Sequence, residues 1–467
     1  MAVSSNFSPT PAPLKQTLAS AYIDFTSGSN DWAQQYLPDL MESEAEVFGN
    51  RTISGFLSMV GAEEAMTSDQ VVWSEQGRLH LSYEGDYVNS TKRITVDKDA
   101  DGQSLTTKHG IRKGDMVLIA TSTATHTAYV DDVPGDLTFD VQFYGTGLSA
   151  DTSDVKILVF GSEYAKGQTG RTGANKPGFK HYDNKPIIIK DKYEISGSDT
   201  SQIGWVEVAG EEGQNGYLWY LKAEGDTRAR FGDYLEMTMV EAEKADTALT
   251  DEFSNASAIT GTEGLFAAIN DRGNVATGVE GVNAATDLAE FDAILAEFDK
   301  NGAIEENMMF LNRTTALAID DMLASMNSYG SGGTSYGVFD NDADMALNLG
   351  FSGFRRGSYD FYKSDWKYLN DQATRGLINA KNTAGAIRGI FVPAGVSSVY
   401  DQTLGRNLKR PFLHVRYRAS QTDDRRMKTW VTGSVGAVTS DLDAMEVNYL
   451  SERCLVVQGA NNFMLLN

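Results

Sequence analysis

The most constraining stretch of this 467-residue chain runs from about Gly216 to Asp246. Leu218, Leu221, Gly225, Arg228, Gly232, Leu235 and Met239 recur there at spacings of three and four, the period of one helical face. Tyr217, Tyr220, Phe231 and Tyr234 flank that face. A helix of this length spans roughly 45 Å, long for a globular protein. Gly225 and Gly232 each weaken it by about 1 kcal/mol relative to alanine, so their presence predicts close packing of something against them. Arg228 on the stripe and the short run of the pattern argue against a coiled coil.

The segments on either side differ in kind. Residues 1–70 hold Lys15 and Arg51 against nine acidic residues, a local charge of −7. Ser8-Pro9-Thr10-Pro11-Ala12-Pro13 cannot be helix or central strand, because each proline fixes φ and lacks an amide donor. Asp39 to Phe48 is expected to be helical, with Asp39 as N-cap, Glu42 at the capping-box position and Gly49-Asn50 as the stop. The whole reads as an acidic extended arm.

Strand-like residues follow from Val71 to about Tyr83. Met116–Ala120, Thr125–Val130, the alternating Leu137, Phe139, Val141 and Phe143, and Val155–Phe160 then predict four short strands of a small barrel or sandwich. Strand-like sequence resumes at Lys185–Ile195, so the barrel is expected to be an insertion. Gly161 to Gly178 reads as a flexible bridge.

Beyond the long helix, Asp287–Lys300 puts Leu288, Phe291, Leu295 and Phe298 on one face and stops at Asn301-Gly302. Met308–Leu311 reads as a buried strand, and Asn312 as the cap of a helix running to Met326. Tyr329–Tyr336 is a Gly/Ser loop. Strands are expected at Ile387–Val392, Pro411–Arg418, Met427–Val435 and Leu455–Gln458.

Composition excludes several classes. The charge is 40 basic minus 64 acidic, or −24, which does not suit a dedicated nucleic-acid binder. The length leaves room for about three domains' worth of structure, and the 41% hydrophobic content rules out wholesale disorder. One cysteine, Cys454, permits neither an intrachain disulfide nor a cysteine zinc site, and in a strand-like run it reads as inert. Met1–Gln16 has no apolar run and is not expected to be a secretory signal, and no stretch approaches the ~20 apolar residues of a membrane span.

Catalytic patterns are missing. No two of the five histidines are four apart, and HExxH does not occur. Asp97–Gly102 mimics the start of a calcium loop, but position 12 is Lys108 rather than glutamate. Asp340–Asp344 lacks the glycine as well. Gly167, Gly170 and Gly173 follow neither the dinucleotide nor the P-loop pattern, and no GxSxG elbow exists. The acids Asp287, Glu290, Asp292, Glu297 and Asp299 read as a solvated helix face. No enzymatic activity, cofactor or metal is expected.

Charge is unevenly spread. From Asp401 to Trp430, Arg406, Lys409, Arg410, Arg416, Arg418, Arg425, Arg426 and Lys428 face three acids, a local +5. An acidic arm and a basic strand cluster in one chain suit head-to-tail contact between copies, and heterologous contacts that close make rings and shells. The same cluster also fits local pairing with Asp423, Asp424 and Asp441.

The order of elements and three stretches carry a family likeness: Phe179-Lys180-His181-Tyr182-Asp183-Asn184-Lys185-Pro186 through Gly197, Tyr217-Leu218-Trp219-Tyr220-Leu221-Lys222-Ala223-Glu224 through Glu241, and Arg388-Gly389-Ile390-Phe391-Val392 through Leu465. With them the chain resembles the major capsid proteins of tailed bacteriophages, the α+β Hong Kong 97-like fold. The texture is closest to crAss-like and related podovirus capsid proteins.

The resemblance implies an N-terminal arm at 1–70 and an extended loop region at 71–205 with a β insertion domain at about 92–165. It further implies a peripheral domain with the spine helix at 206–247, an axial domain at 248–410, and returning strands at 411–467. It also implies hexamers and pentamers in an icosahedral shell around double-stranded DNA. Portal, scaffolding and minor outer capsid proteins would be partners, and assembly would take place in the host cytoplasm. Arg406, Lys409, Arg410, Arg416, Arg418, Arg425, Arg426, Gly225 and Gly232 become the candidate subunit-interface residues. Some members of that fold crosslink a loop lysine to a neighbour's asparagine; Lys166, Lys176 and Lys185 lie in the right region, and no crosslink is expected. The competing readings are a tail or baseplate component and an acidic enzyme with a β insertion.

Overall fold

The computed structural model describes residues 55–57, 62–100, 102–170, 173, 179–200, 207–209, 215–251, 257–281, 283–302, 304–326, 353–380, 385–394, 396–401, 406–434 and 438–467. The expected helix at 39–48, the Gly/Ser loop at 329–336 and the acidic run at 340–344 lie outside them. The fold is α+β. It has a six-stranded mixed sheet, a five-stranded sheet, two-stranded ribbons and a closed six-stranded barrel.

The six-stranded sheet runs Asn274–Ala276, Met464–Leu466, Gly389–Pro393, Glu306–Leu311, Tyr359–Asp365, Gly353–Arg356. Alternation divides its side chains between two cores. Met309, Leu311, Phe391, Met464 and Leu466 pack with Phe291, Phe298, Ile319 and Met322 of the helices Ala284–Asn301 and Arg313–Met326. Phe310, Ile390, Val392 and Leu465 lie in the other core, with Met239, Val240, Leu265 and Ile269. Burial on both faces explains why Gly389–Pro393 reads as an unbroken apolar run.

Helix Ala284–Asn301 forms as its ends direct. Asn283 Oδ1 accepts from the Ala285 and Thr286 amides, and Gly302 closes the C-terminus at φ 62°. Its acids are ties within the chain rather than a merely solvated face. Buried Asp287 accepts from Gly281 N, Glu290 from Val279 N, Asp292 from Arg356 and Asp299 from Tyr359 Oη.

The five-stranded sheet is built on Ala444–Val457, 14 residues long. Ile187–Ser196 pairs antiparallel along one side. Lys428–Gly433 and Leu413–Arg418 share the other, and Ala62–Met66 adds in parallel as an edge beyond Leu413–Arg418. Leu413, Val415, Leu455 and Val457 of this sheet join the core below Phe310, so the two sheets share it.

The long helix spans Leu218–Glu241, 24 residues or roughly 36 Å. It ends earlier than the expected Asp246, because Lys244–Thr250 turns into a strand paired with Ser257–Gly261. Its buried face shares Leu235 and Met239 with the expected stripe but departs from it one turn earlier: Thr227 and Phe231 are buried, whereas Arg228 is exposed. Phe231 decides the departure, packing 5.7 Å from Tyr449 beside Val447.

A two-stranded ribbon, Val71–Gln76 with Phe179–Asn184, leads out to the barrel. The four expected barrel strands are joined by two earlier ones, Ser82–Val88 and Arg93–Asp99, and closure puts Thr152–Ser162 between the first strand and Asp115–Ala120. Tyr87, Ile94, Val96, Val117, Ile119, Phe139, Val141, Val155 and Ile157 fill the interior. Gly85 sits at a register shift where a Cβ would stand 2.1 Å from Thr95 O, so only glycine fits. The calcium-like segment is a strand end and turn, with Asp99 Oδ1 accepting the Gln103 amide at 2.9 Å.

Candidate assembly surfaces

The basic cluster meets acids of the same chain, and mostly not the acids that its local sequence suggests. Arg416 pairs with Glu64 at 2.8 Å, Arg426 with Glu63 at 2.5 Å, and Arg418 with Asp69 and Glu452. Arg425 reaches Glu452 at 3.0 Å, and Glu452 is 6% exposed. Of the three acids expected as partners, Asp423 pairs with Lys428, while Asp424 accepts the Arg426 amide. The accepting carboxylates therefore come from the strand Ala62–Met66, Asp69 and the central strand, the first brought to the cluster by the parallel pairing Glu64↔Arg416.

Arg453 anchors the cluster from below. Nε donates to Ser451 Oγ at 2.9 Å and Nη2 to Arg426 O at 2.8 Å, and burial pushes its guanidinium pKa down. Removing one partner of such a buried set leaves the other charge uncompensated. Arg406, Lys409 and Arg410 stand on a separate ribbon, Val396–Asp401 with Arg406–Pro411, in register with Asp401, Ser398 and Ser397. Their side chains are outside the described residues.

The two helix glycines stand apart from the buried face. Among the described residues no atom outside the helix's own nearby backbone lies within 4 Å of a Cβ built on Gly225 or Gly232. One turn further along, Glu236 receives the end of the arm. Its carboxylate accepts from the amides of Gly55 at 2.7 Å, Phe56 at 2.6 Å and Leu57 at 3.2 Å. Burial pushes its pKa up, against the three amides that pull it down. Phe56 stacks on Trp366 at 4.5 Å and meets the edge of Phe310 at 4.7 Å.

At the ribbon's base, Asp183 accepts from Lys244 Nζ at 2.8 Å and Gln70 Nε2 at 2.9 Å. The Lys244 hydrogen bond holds its carboxyl below the usual range. A lowered folded pKa means a stabilising contribution that is complete at neutral pH and lost as pH falls through that value, below 3.8. Asp183→Asn is accordingly expected to flatten the acid limb of stability, measured by urea unfolding from about pH 5 to pH 2. An unchanged acid limb would contradict this.

The barrel presents Leu158 and Phe160 outward, 41% and 51% exposed. Beside them the Tyr144 hydroxyl donates to Glu163 at 2.5 Å, which pushes the phenol pKa up to about 12. Burial pushes the Cys454 thiol to about 12, so it is not a thiolate at neutral pH. Among the described residues no cluster of three or more His, Cys, Asp or Glu side chains is arranged to hold a metal, and no helix is long and apolar enough to cross a membrane.

Sequence reasoning missed Phe56, Asn184, Glu236 and Arg272, the residues that tie arm and ribbon to the body. Phe56 carries no distinguishing sequence signal, being one of seven aromatic residues in the arm with Phe7, Tyr22, Phe25, Trp32, Tyr36 and Phe48.

No family model and no curated protein matches the chain. Among solved structures it is similar to the mature capsid of bacteriophage PhiM1, with TM-score 0.42 and 9% identity over 98% of each chain. It is similar to the capsid of cyanophage P-SCSP1u, with TM-score 0.42 and 8% identity over 94% of each. A third is the capsid of the native GTA particle, with TM-score 0.35 and 9% identity over 91% of this chain and 95% of that one.

Proposed function

We propose that this chain is a major capsid (head) subunit that assembles with copies of itself into an icosahedral shell around double-stranded DNA. The observation that carries the reading is the ribbon that leaves the body and bears a barrel with its own core. A two-stranded ribbon is marginal alone, and this one leaves Val72 59% exposed. An excursion of that kind gains its stability and its purpose against a neighbouring copy. The barrel's outward Leu158 and Phe160 fit the same role.

The Hong Kong 97-like resemblance supplies the layout: arm, extended loop with insertion, spine helix, axial domain and returning strands. In that layout the face at Gly225 and Gly232 and the ribbon bearing Arg406, Lys409 and Arg410 are subunit contacts. Arg416, Arg418 and Arg426 hold the end of the arm in place for them through Glu64, Asp69 and Glu63, while Arg425 pairs with Glu452 of the central strand. Portal and scaffolding proteins, and a minor outer protein on the barrel, are the partners of such a shell. The charge of −24 keeps its interior from gripping the packaged DNA. The virion, assembled in the host cytoplasm, is its place.

Negative-stain microscopy of the purified chain tests this. Closed shells are expected; tubes or dispersed monomers overturn the reading. On a denaturing gel those shells are expected to give one band near 50.9 kDa, since no covalent mesh through Lys166, Lys176 or Lys185 is proposed. A ladder of higher bands would refute that part.

A further inference from the structure

The ribbon meets the body of the molecule around one cation. Arg272 is the last residue of the helix Leu265–Arg272, where the helix dipole favours positive charge. Its guanidinium lies 5.6 Å from the centroid of Trp73 and 4.5 Å from that of Tyr182. Those two rings are direct register partners, one on each ribbon strand. The same guanidinium pairs with Glu263 at 2.5 Å and lies 3.9 Å from Glu75. Glu75 in turn accepts from Trp73 Nε1 at 3.0 Å and from the Gly459 amide at 2.9 Å.

The arginine side chain is 7% exposed, so these attractions act where water screens them little. A plane that stacks on two rings and donates along its edge is a property of guanidinium; an ammonium offers a point charge without one. The contacts cross both ribbon strands, one helix and the segment after the central strand, so tilting the ribbon breaks several at once.

We propose that Arg272 is the positioning residue of the ribbon. Its planar cation, held by Trp73, Tyr182, Glu263 and Glu75, sets one direction in which the ribbon leaves the body, and with it the direction in which the barrel meets a neighbouring copy. The final clause rests on the capsid reading; the clamp itself does not.

Hydrogen exchange of the dispersed full-length chain, read by mass spectrometry, tests the clamp in Arg272→Lys and Arg272→Met. In both variants the amides of 71–76 and 179–184 are expected to exchange roughly tenfold faster, while 306–311 and 389–393 keep their protection. Shells grown from either variant are expected to lose their uniform diameter. Wild-type exchange in the methionine variant, or rescue by lysine, would show that the planar cation does not position the ribbon. Faster exchange throughout the body would make Arg272 an ordinary core residue and overturn the proposal equally. If the ribbon loosens as expected but the wild-type chain builds no shells, the clamp stands and the capsid reading falls.

Discussion

Asn184→Leu is expected to lower stability by about 3–5 kcal/mol, seen as a fall in the urea midpoint with little change in slope. The side chain is fully buried and every polar valence is used. Nδ2 donates to Glu263 O at 3.0 Å and Leu455 O at 2.6 Å. Oδ1 accepts from Lys185 N at 2.9 Å, Thr262 Oγ1 at 3.0 Å and Glu263 N at 2.9 Å. Leucine fills the same space and leaves two carbonyls, two amides and a hydroxyl without that partner. Each costs about 1–3 kcal/mol where neither water nor another group replaces it. Asn184→Asp keeps the three acceptor bonds but turns a carboxylate oxygen toward the carbonyls of Glu263 and Leu455 in a fully buried site, so at neutral pH it is expected to cost at least as much as leucine. A loss below about 1 kcal/mol for leucine would mean that the bonds are replaced from elsewhere.

The second large effect is expected at Phe56→Ala. This ring is 4% exposed, and core phenylalanine truncations cost about 3–5 kcal/mol. Phe56 belongs to the arm, however, so the loss should appear first as undocking. The three amides held by Glu236 separate, and the edge strand Ala62–Met66 loses its upstream anchor. Limited proteolysis is expected to cleave between the arm and Val71 in the variant and not in the parent, with a change in tryptophan emission from the exposed Trp366. Equal protection in both would place the arm's anchorage elsewhere, in the ion pairs of Glu63 and Glu64.

These two sites show where sequence legibility ends. Helix Ala284–Asn301 could be read because its information is local: Asn301-Gly302 marks its end and Phe291 and Phe298 recur on one face, although the expected start at Asp287 lies one turn late and the Asn283 cap was missed. The strand Glu306–Leu311 was legible from its apolar run. The central strand Ala444–Val457 was read only in its last residues. Ser451-Glu452-Arg453 interrupts the apolar pattern, and their partners come from Arg418, Arg425, Arg426 and Glu63. The first two barrel strands were missed for a similar reason. Tyr87, Ile94 and Val96 point inward from segments otherwise rich in charge.

The long helix was legible as a helix, and Leu235 and Met239 of its buried face with it, but Thr227 and Phe231 were not. Spacings of three and four are met by two adjoining stripes, and only the position of Tyr449 chooses the one through Phe231. Asn184 and Arg272 join residues 271 and 185 positions away. No window of sequence contains those contacts. The basic cluster was visible as composition, yet its acids come from Glu63, Glu64 and Asp69 through a parallel strand pairing that local charge counting does not reveal.

The barrel's entrance and exit are side by side: Ser82 opens the first strand opposite Leu158 on the last, and Leu81 O accepts the Val159 amide. A module whose two ends leave together, and whose interior is filled by its own residues, places no geometric demand on its host beyond that one gap. Such a module can be deleted, enlarged or replaced without moving the two sheets or the contacts of Arg272, provided the gap between Leu81 and Val159 is closed. The barrel is thereby the part of the molecule whose replacement disturbs the rest least.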